Sequence, residues 1–217
     1  LASPLLGSSE HPWFVQAGMR LGVIGQTGKD LALVPRSRSE QEHAKGAVEE
    51  DTIEEEPLLL ALAQPTSPSH VALRQFRNRT IYANVGNDVS VSFRTSALYF
   101  YNHREVRIQK NNLLRQLYFL LNPPEPTKEY LTRSITSASP IIHDKVYMPS
   151  DIPRSRDLNA RLEIEEKIAR AWHEDMSWRK VFVQLEGEAH TNVIVRRRWQ
   201  NAAGWQVIDH LLKEHEF

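Results

Sequence analysis

The stretch Thr80-Ile81-Tyr82-Ala83-Asn84-Val85 is rich in β-branched and aromatic residues, does not alternate cleanly, and stops at Gly86-Asn87-Asp88. That pattern predicts a strand covered on both faces and closed by a turn. Trp178 to Leu185 carries Val181, Val183 and Leu185 at period two and predicts a second strand. Before it, Asp157 is placed to cap a helix running to about Asp175, with Leu158, Leu162, Ala169 and Trp172 along one face. Helical spacing also runs from Thr95 to Leu121, through Leu113, Leu114, Leu117 and Leu120, and Asn122-Pro123-Pro124 stops it. After a short loop, Glu186 to Thr191, the residues Asn192 to Trp199 read as a further strand. Gly204 then precedes a last helix holding Val207, Ile208, Leu211 and Leu212. Strands separated by helices predict an α/β architecture, a mostly parallel sheet with flanking helices.

Two segments interrupt this pattern within what reads as one domain over residues 1–217. Residues 36–56 are polar, and Glu49 to Glu56 holds six acids in eight positions, so the stretch is expected to be a solvated, mobile loop. Half of the 12 prolines lie in 122–156, which reads as a surface excursion.

The charge balance removes several function classes. Lys+Arg and Asp+Glu are equal at 27 each, so no long-range field draws the chain to nucleic acid or to an anionic membrane. The run Arg196-Arg197-Arg198 is read as the solvated side of a strand rather than a phosphate site. Cysteine is absent, which excludes disulfides, a thiol nucleophile and thiolate metal sites. No His-Glu-x-x-His pattern occurs, and His210 and His215 do not share a helical face, so neither a metal nor another cofactor is expected. The longest apolar run, Leu58 to Ala63, is far short of the roughly 18 residues that suggest a membrane span. The opening Leu1 to Gly7 has no basic segment of the kind that begins a signal peptide, and it reads as a cut within a domain. Trp172, Trp178, Trp199 and Trp205 are expected in the core or at a partner contact, and His173 and His210 on helix surfaces without chemistry.

In open parallel sheets, function collects beyond the carboxyl ends of the strands. Two titratable residues stand there, Asp88 after the strand at 80–85 and His190 after the strand at 178–185. An acid followed by a base near the C-terminus is the order of an α/β-hydrolase triad without its first member. Taken by themselves, a turn aspartate and one histidine among nine are weak evidence of catalysis.

The segments Thr80 to Val91 with Arg94-Thr95-Ser96, Ala189 to Arg196, and Gly204 to Leu211 resemble, in this order, the C-terminal part of the serine esterases, a lipase-like family of α/β-hydrolases. Leu1 to Gly7, Gly22 to Leu33 and Pro57 to Leu60 are similar to further family segments, and the resemblance runs nearly end to end. It implies the C-terminal part of an α/β-hydrolase fold, with Asp88 and His190 as catalytic acid and base. It also implies a carboxylic-ester hydrolase acting on acyl glycerol lipids or other fatty esters.

The family's Gly-x-Ser-x-Gly elbow occurs nowhere in the sequence. Ser3, Ser8 and Ser9 lack its context, so the nucleophile and the oxyanion hole are expected outside this chain, which alone would be inactive. The alternative is a non-catalytic, truncated hydrolase-like protein that binds lipid or a protein partner. The expected partners are a lipid or fatty-ester substrate and a peripheral membrane or lipid-droplet contact, in an intracellular, cytoplasmic or lipid-surface location. The segment Pro12 to Leu21 reads as a buried helix, or less readily as an acyl-facing wall.

Overall fold

The computed structural model describes residues 56–88, 91, 93–100, 122, 138–153, 160–187 and 189–215. The expectations for Leu1 to Gly7, Ser3, Ser8, Ser9, Pro12 to Leu21, Gly22 to Leu33, the acidic segment up to residue 55, Leu113 to Leu121, and Asp157 and Leu158 lie outside these residues.

Helices α1 (Leu58–Ala63) and α2 (Pro68–Arg74) precede strand β1 (Thr80–Asn84). Ser67 caps α2, its side chain accepting from the His70 amide, and Pro68 occupies the first helical position, where no N–H is needed. A short helix α3 (Phe93–Ser96) follows, then strand β2 (Ile141–Tyr147), helix α4 (Ala160–Ala171), strand β3 (Trp178–Val183), a one-turn helix α5 (Ala189–Asn192) and helix α6 (Trp205–Glu214).

The three strands form one sheet in the order β1-β3-β2. β1 runs parallel to β3, with Thr80 beside Arg179 and Asn84 beside Val183. β3 is the central strand, and Val181, Phe182 and Val183 are wholly buried, as a strand covered on both faces requires. On one face Val181 and Val183 pack with Leu185, Ala189 and Val207 of α6. On the other, Phe182 packs with Ala83, Val85, Phe93, Ala97 and Tyr99. A third cluster joins Ala63, Leu98, Ile168, Trp172, Met176 and Trp178. Side chains alternating between faces along β1 and β3 explain this division.

The sheet differs from the mostly parallel expectation because β2 pairs with β3 antiparallel. β2 lies inside the stretch 122–156, read from its prolines as a surface excursion. Pro140 and Pro149 flank the strand instead of interrupting its ladder, and proline is tolerated at strand ends. The expected strand from Asn192 to Trp199 is absent. Residues 193–200 form turns, with Val195 at φ 48° and the Arg196 amide donating to the Thr191 carbonyl. Local turn bonds to the Ala189, Thr191 and Asn192 carbonyls, with the Asn201 side chain accepting from the Arg197 amide, override the β-branched run Val193-Ile194-Val195.

The helix expected from Thr95 also breaks early. Leu98 adopts φ 46° and the Tyr99 amide closes onto the Arg94 carbonyl, a left-handed helix termination built without glycine. The helix expected at 157–175 spans Ala160–Ala171, and the strand expected at 178–185 ends at Val183.

Candidate functional site

Parallel pairing puts the carboxyl ends of β1 and β3 side by side, so the turns that follow them share one edge of the sheet. The first turn is Gly86-Asn87-Asp88. Asn87 takes φ 60°, a region asparagine tolerates, and its side-chain amide donates to the Leu185 carbonyl at 3.0 Å. The Ala189 amide donates in return to the Asn87 carbonyl at 3.2 Å. These two bonds knit the turn after β1 to the turn after β3.

Asp88 and His190, 102 positions apart in sequence, meet there, with His190 Nδ1 3.2 Å from Asp88 Oδ2. The Asp88 side chain is 7% exposed and that of His190 is 44% exposed. The Val91 amide donates to Asp88 Oδ1 at 2.9 Å, and the Asn84 side-chain amide lies 3.4 Å from Oδ2. A carboxylate facing Nδ1 favours the tautomer with hydrogen on that nitrogen, which leaves the Nε2 lone pair for a base role.

Asparagines also build the support behind His190. Asn84 Nδ2 donates to the carbonyl of Ala189 at 3.1 Å. Asn192 donates to the Glu186 carbonyl at 2.7 Å, and Asn201 donates to Asn192 Oδ1 at 2.6 Å and to Thr191 Oγ1 at 3.0 Å. The Arg197 amide donates to Asn201 Oδ1 at 2.7 Å. Gly204 fits against this segment because a Cβ there would lie 1.7 Å from the Asn192 carbonyl oxygen.

Sequence reasoning missed a second polar group, between the sheet and α6. His210, read as a helix-surface residue, has Nδ1 2.8 Å from the Tyr82 hydroxyl and Nε2 3.2 Å from Asp144 Oδ2. Arg179 clasps Asp144 through two bonds of 2.7 and 2.5 Å, and its Nη1 donates to the Glu214 carbonyl at the end of α6 at 3.1 Å. The hydrogen bond from Arg179 holds the Asp144 carboxyl below its usual value, and burial pushes the Tyr82 phenol up. Burial, then the charges of Arg179 and His210, push His215 down. The available signal was a tyrosine and an arginine, Tyr82 and Arg179, within largely apolar strands.

His173, the other histidine read as a surface residue, is wholly buried, with Nδ1 2.6 Å from the Ala169 carbonyl oxygen. Trp172 and Trp178 are buried as expected, whereas Trp199 is exposed. Among the described residues no group of three or more His, Cys, Asp or Glu side chains could hold a metal ion. No described helix is long and apolar enough to cross a membrane.

A family model described as "Putative serine esterase (DUF676)" matches residues 1–98. "Putative lipase ROG1" of Saccharomyces cerevisiae is 31% identical over 294 aligned positions, which take in 99% of this chain and 40% of that protein. "Putative lipase YDL109C" of the same yeast is 28% identical over 289 positions, covering 99% of this chain and 42% of that protein. "Putative lipase C4A8.10" of Schizosaccharomyces pombe is 24% identical over 338 positions, covering 97% and 41%. No solved structure matches the chain. The esterase model and these relatives agree in likening the chain to a lipase-like family. It spans less than half the length of the curated relatives it matches.

Proposed function

We propose that this chain supplies the acid and the base of a serine carboxylic-ester hydrolase of α/β-hydrolase fold that acts on acyl glycerol lipids or other fatty esters. The observation that carries this reading is the contact between the buried Asp88 carboxylate and Nδ1 of the half-exposed His190. In the proposed reaction Asp88 holds the Nδ1–H tautomer, and His190 Nε2 removes the proton of a serine hydroxyl as that oxygen attacks the ester carbonyl. The imidazolium then gives its proton to the departing alcohol, and water repeats the sequence on the acyl-enzyme. The serine comes from a Gly-x-Ser-x-Gly turn, which this sequence does not contain, and the oxyanion donors from that turn and an earlier loop.

That same absence favours a second reading, a hydrolase-like protein that binds lipid or a partner without turnover. Hydrolysis of a short-chain nitrophenyl ester separates the two. The chain alone and the chain joined to an upstream Gly-x-Ser-x-Gly strand are compared. Turnover in the longer form, lost by about 10³-fold or more in both His190→Ala and Asp88→Asn, is expected. Equal turnover in both forms that survives His190→Ala overturns the assignment, and no turnover in a folded longer form favours the binding reading.

A further inference from the structure

The turns at 193–200 begin three residues after His190 and present an unusual surface. Ile194 is 64% exposed and Trp199 52% exposed, and Arg196, Arg197 and Arg198 between them are all exposed. The Arg198 guanidinium lies 5.2 Å from the centre of the Trp199 ring. Among the described residues no carboxylate pairs with any of the three arginines, although the chain as a whole has equal numbers of acids and bases. Arg197 is engaged through its amide with Asn201 and through its side chain with Gln200, both neutral partners.

The segment is also held in shape. Val195 sits at φ 48°, a conformation that β-branched residues rarely adopt, and its amide donates to the Asn192 carbonyl at 3.0 Å. Asn192, Asn201 and Gly204 fasten the base of the segment to the sheet edge that carries His190. A strained turn persists only where its surroundings enforce it, and here the enforced shape leaves an isoleucine, a tryptophan and three guanidiniums facing solvent.

We propose that residues 193–200 dock the protein on an anionic phospholipid surface. Tryptophan is the side chain most suited to the headgroup boundary, isoleucine enters the acyl edge, and arginine binds phosphate while its stem lies along apolar surface. The unpaired positive charge selects an anionic surface over a neutral one. The inference does not depend on catalysis and stands or falls by binding alone.

The test is sedimentation of the full chain with vesicles of phosphatidylcholine, with and without about a third phosphatidylserine, at low and at high salt. Binding to the anionic vesicles alone, weakened by salt, is expected. The paired change Arg196→Glu and Arg198→Glu should weaken it by about 25-fold or more, at about five-fold for each arginine removed. Trp199→Ser, which leaves the charge intact, should weaken it independently. Both sites are exposed, so the thermal unfolding midpoint should not move. Equal binding to neutral vesicles, or binding unaffected by the arginine pair, overturns the proposal. Binding to polyglutamate that matches the anionic vesicles and ignores Trp199→Ser also overturns it, in favour of an acidic protein partner.

Discussion

Asn84 donates its side-chain amide to the carbonyl of Ala189, the residue before His190, at 3.1 Å, and the same nitrogen lies 3.4 Å from the carboxylate of Asp88. One buried amide on β1 therefore touches the acid and the backbone that carries the base. Asn84→Ala should cost about 1 kcal/mol, since the Ala189 carbonyl loses one of its two donors and keeps the Val193 amide. In an active longer form it should also lower kcat about 10–100-fold with little change in KM, as loss of an orienting partner does. Asn84→Asp places a second carboxylate beside Asp88 and should not rescue it. Chemical denaturation and steady-state kinetics on the same variants check both effects.

Gly204→Ala should destabilise the protein by about 3 kcal/mol, because the new Cβ would meet the Asn192 carbonyl 1.7 Å away, and backbone cannot move aside cheaply. The glycine is there for proximity and not for conformational freedom, its φ being −77°. Denaturant midpoints should show the loss, and the hydrogen exchange of amides in 189–192 should quicken with it.

Arg179 joins β3 to Asp144 of β2 and to the carbonyl at the end of α6. Arg179→Met should loosen the last turn of α6 and cost about 1–3 kcal/mol, through an Asp144 left with His210 alone and the lost terminal bond. Faster hydrogen exchange confined to residues 210–215, with α4 unchanged, is the expected pattern. Uniform quickening across α4 and α6 would show that Arg179 stabilises the whole sheet and not this junction.

Acid should unfold the protein through two carboxylates in particular. Hydrogen bonds from His70, with Arg74 adding to them, lower Asp175 from its usual 3.8, and Arg179 lowers Asp144 in the same way. A carboxylate whose folded pKa is depressed contributes stability that is present above its unfolded pKa and lost as pH falls through the folded one. Stability should therefore decline below about pH 4. Asp175→Asn and Asp144→Asn should each flatten that decline while lowering stability near neutrality. A decline of unchanged steepness in both variants would assign it to other groups.

The two parallel strands β1 and β3 were legible in sequence because their runs are largely buried. Tyr82-Ala83-Asn84-Val85 and Val181-Phe182-Val183 admit few alternatives, and the residues following them locate Asp88 and His190. What misled was local chemistry. Val193-Ile194-Val195 has strand composition, but the carbonyls of Ala189, Thr191 and Asn192 and the side chain of Asn201 take the amides of 193 and 195–197 that a ladder would have used. Prolines obscured β2 because proline counts do not distinguish a strand's flanks from its interior. His173 and His210 looked like surface residues because helical spacing says nothing about which carbonyl or hydroxyl a neighbouring element presents. The asparagine scaffold was illegible for a plainer reason, since asparagine in a loop is ordinary and only its partners make it structural.

The pairing of Thr80 with Arg179 closes a loop of nearly half the chain. The entropy of that closure is set mostly by the fact of closing and only weakly by the length closed. Doubling the intervening length would add only about 0.6 kcal/mol. The two halves of the site are therefore insulated from whatever is inserted between β1 and β3, provided β2 and α4 still reach the sheet. A single substitution at Asn84 or Gly204 should harm the site more than the addition of a surface segment many residues long between Phe100 and Ile141.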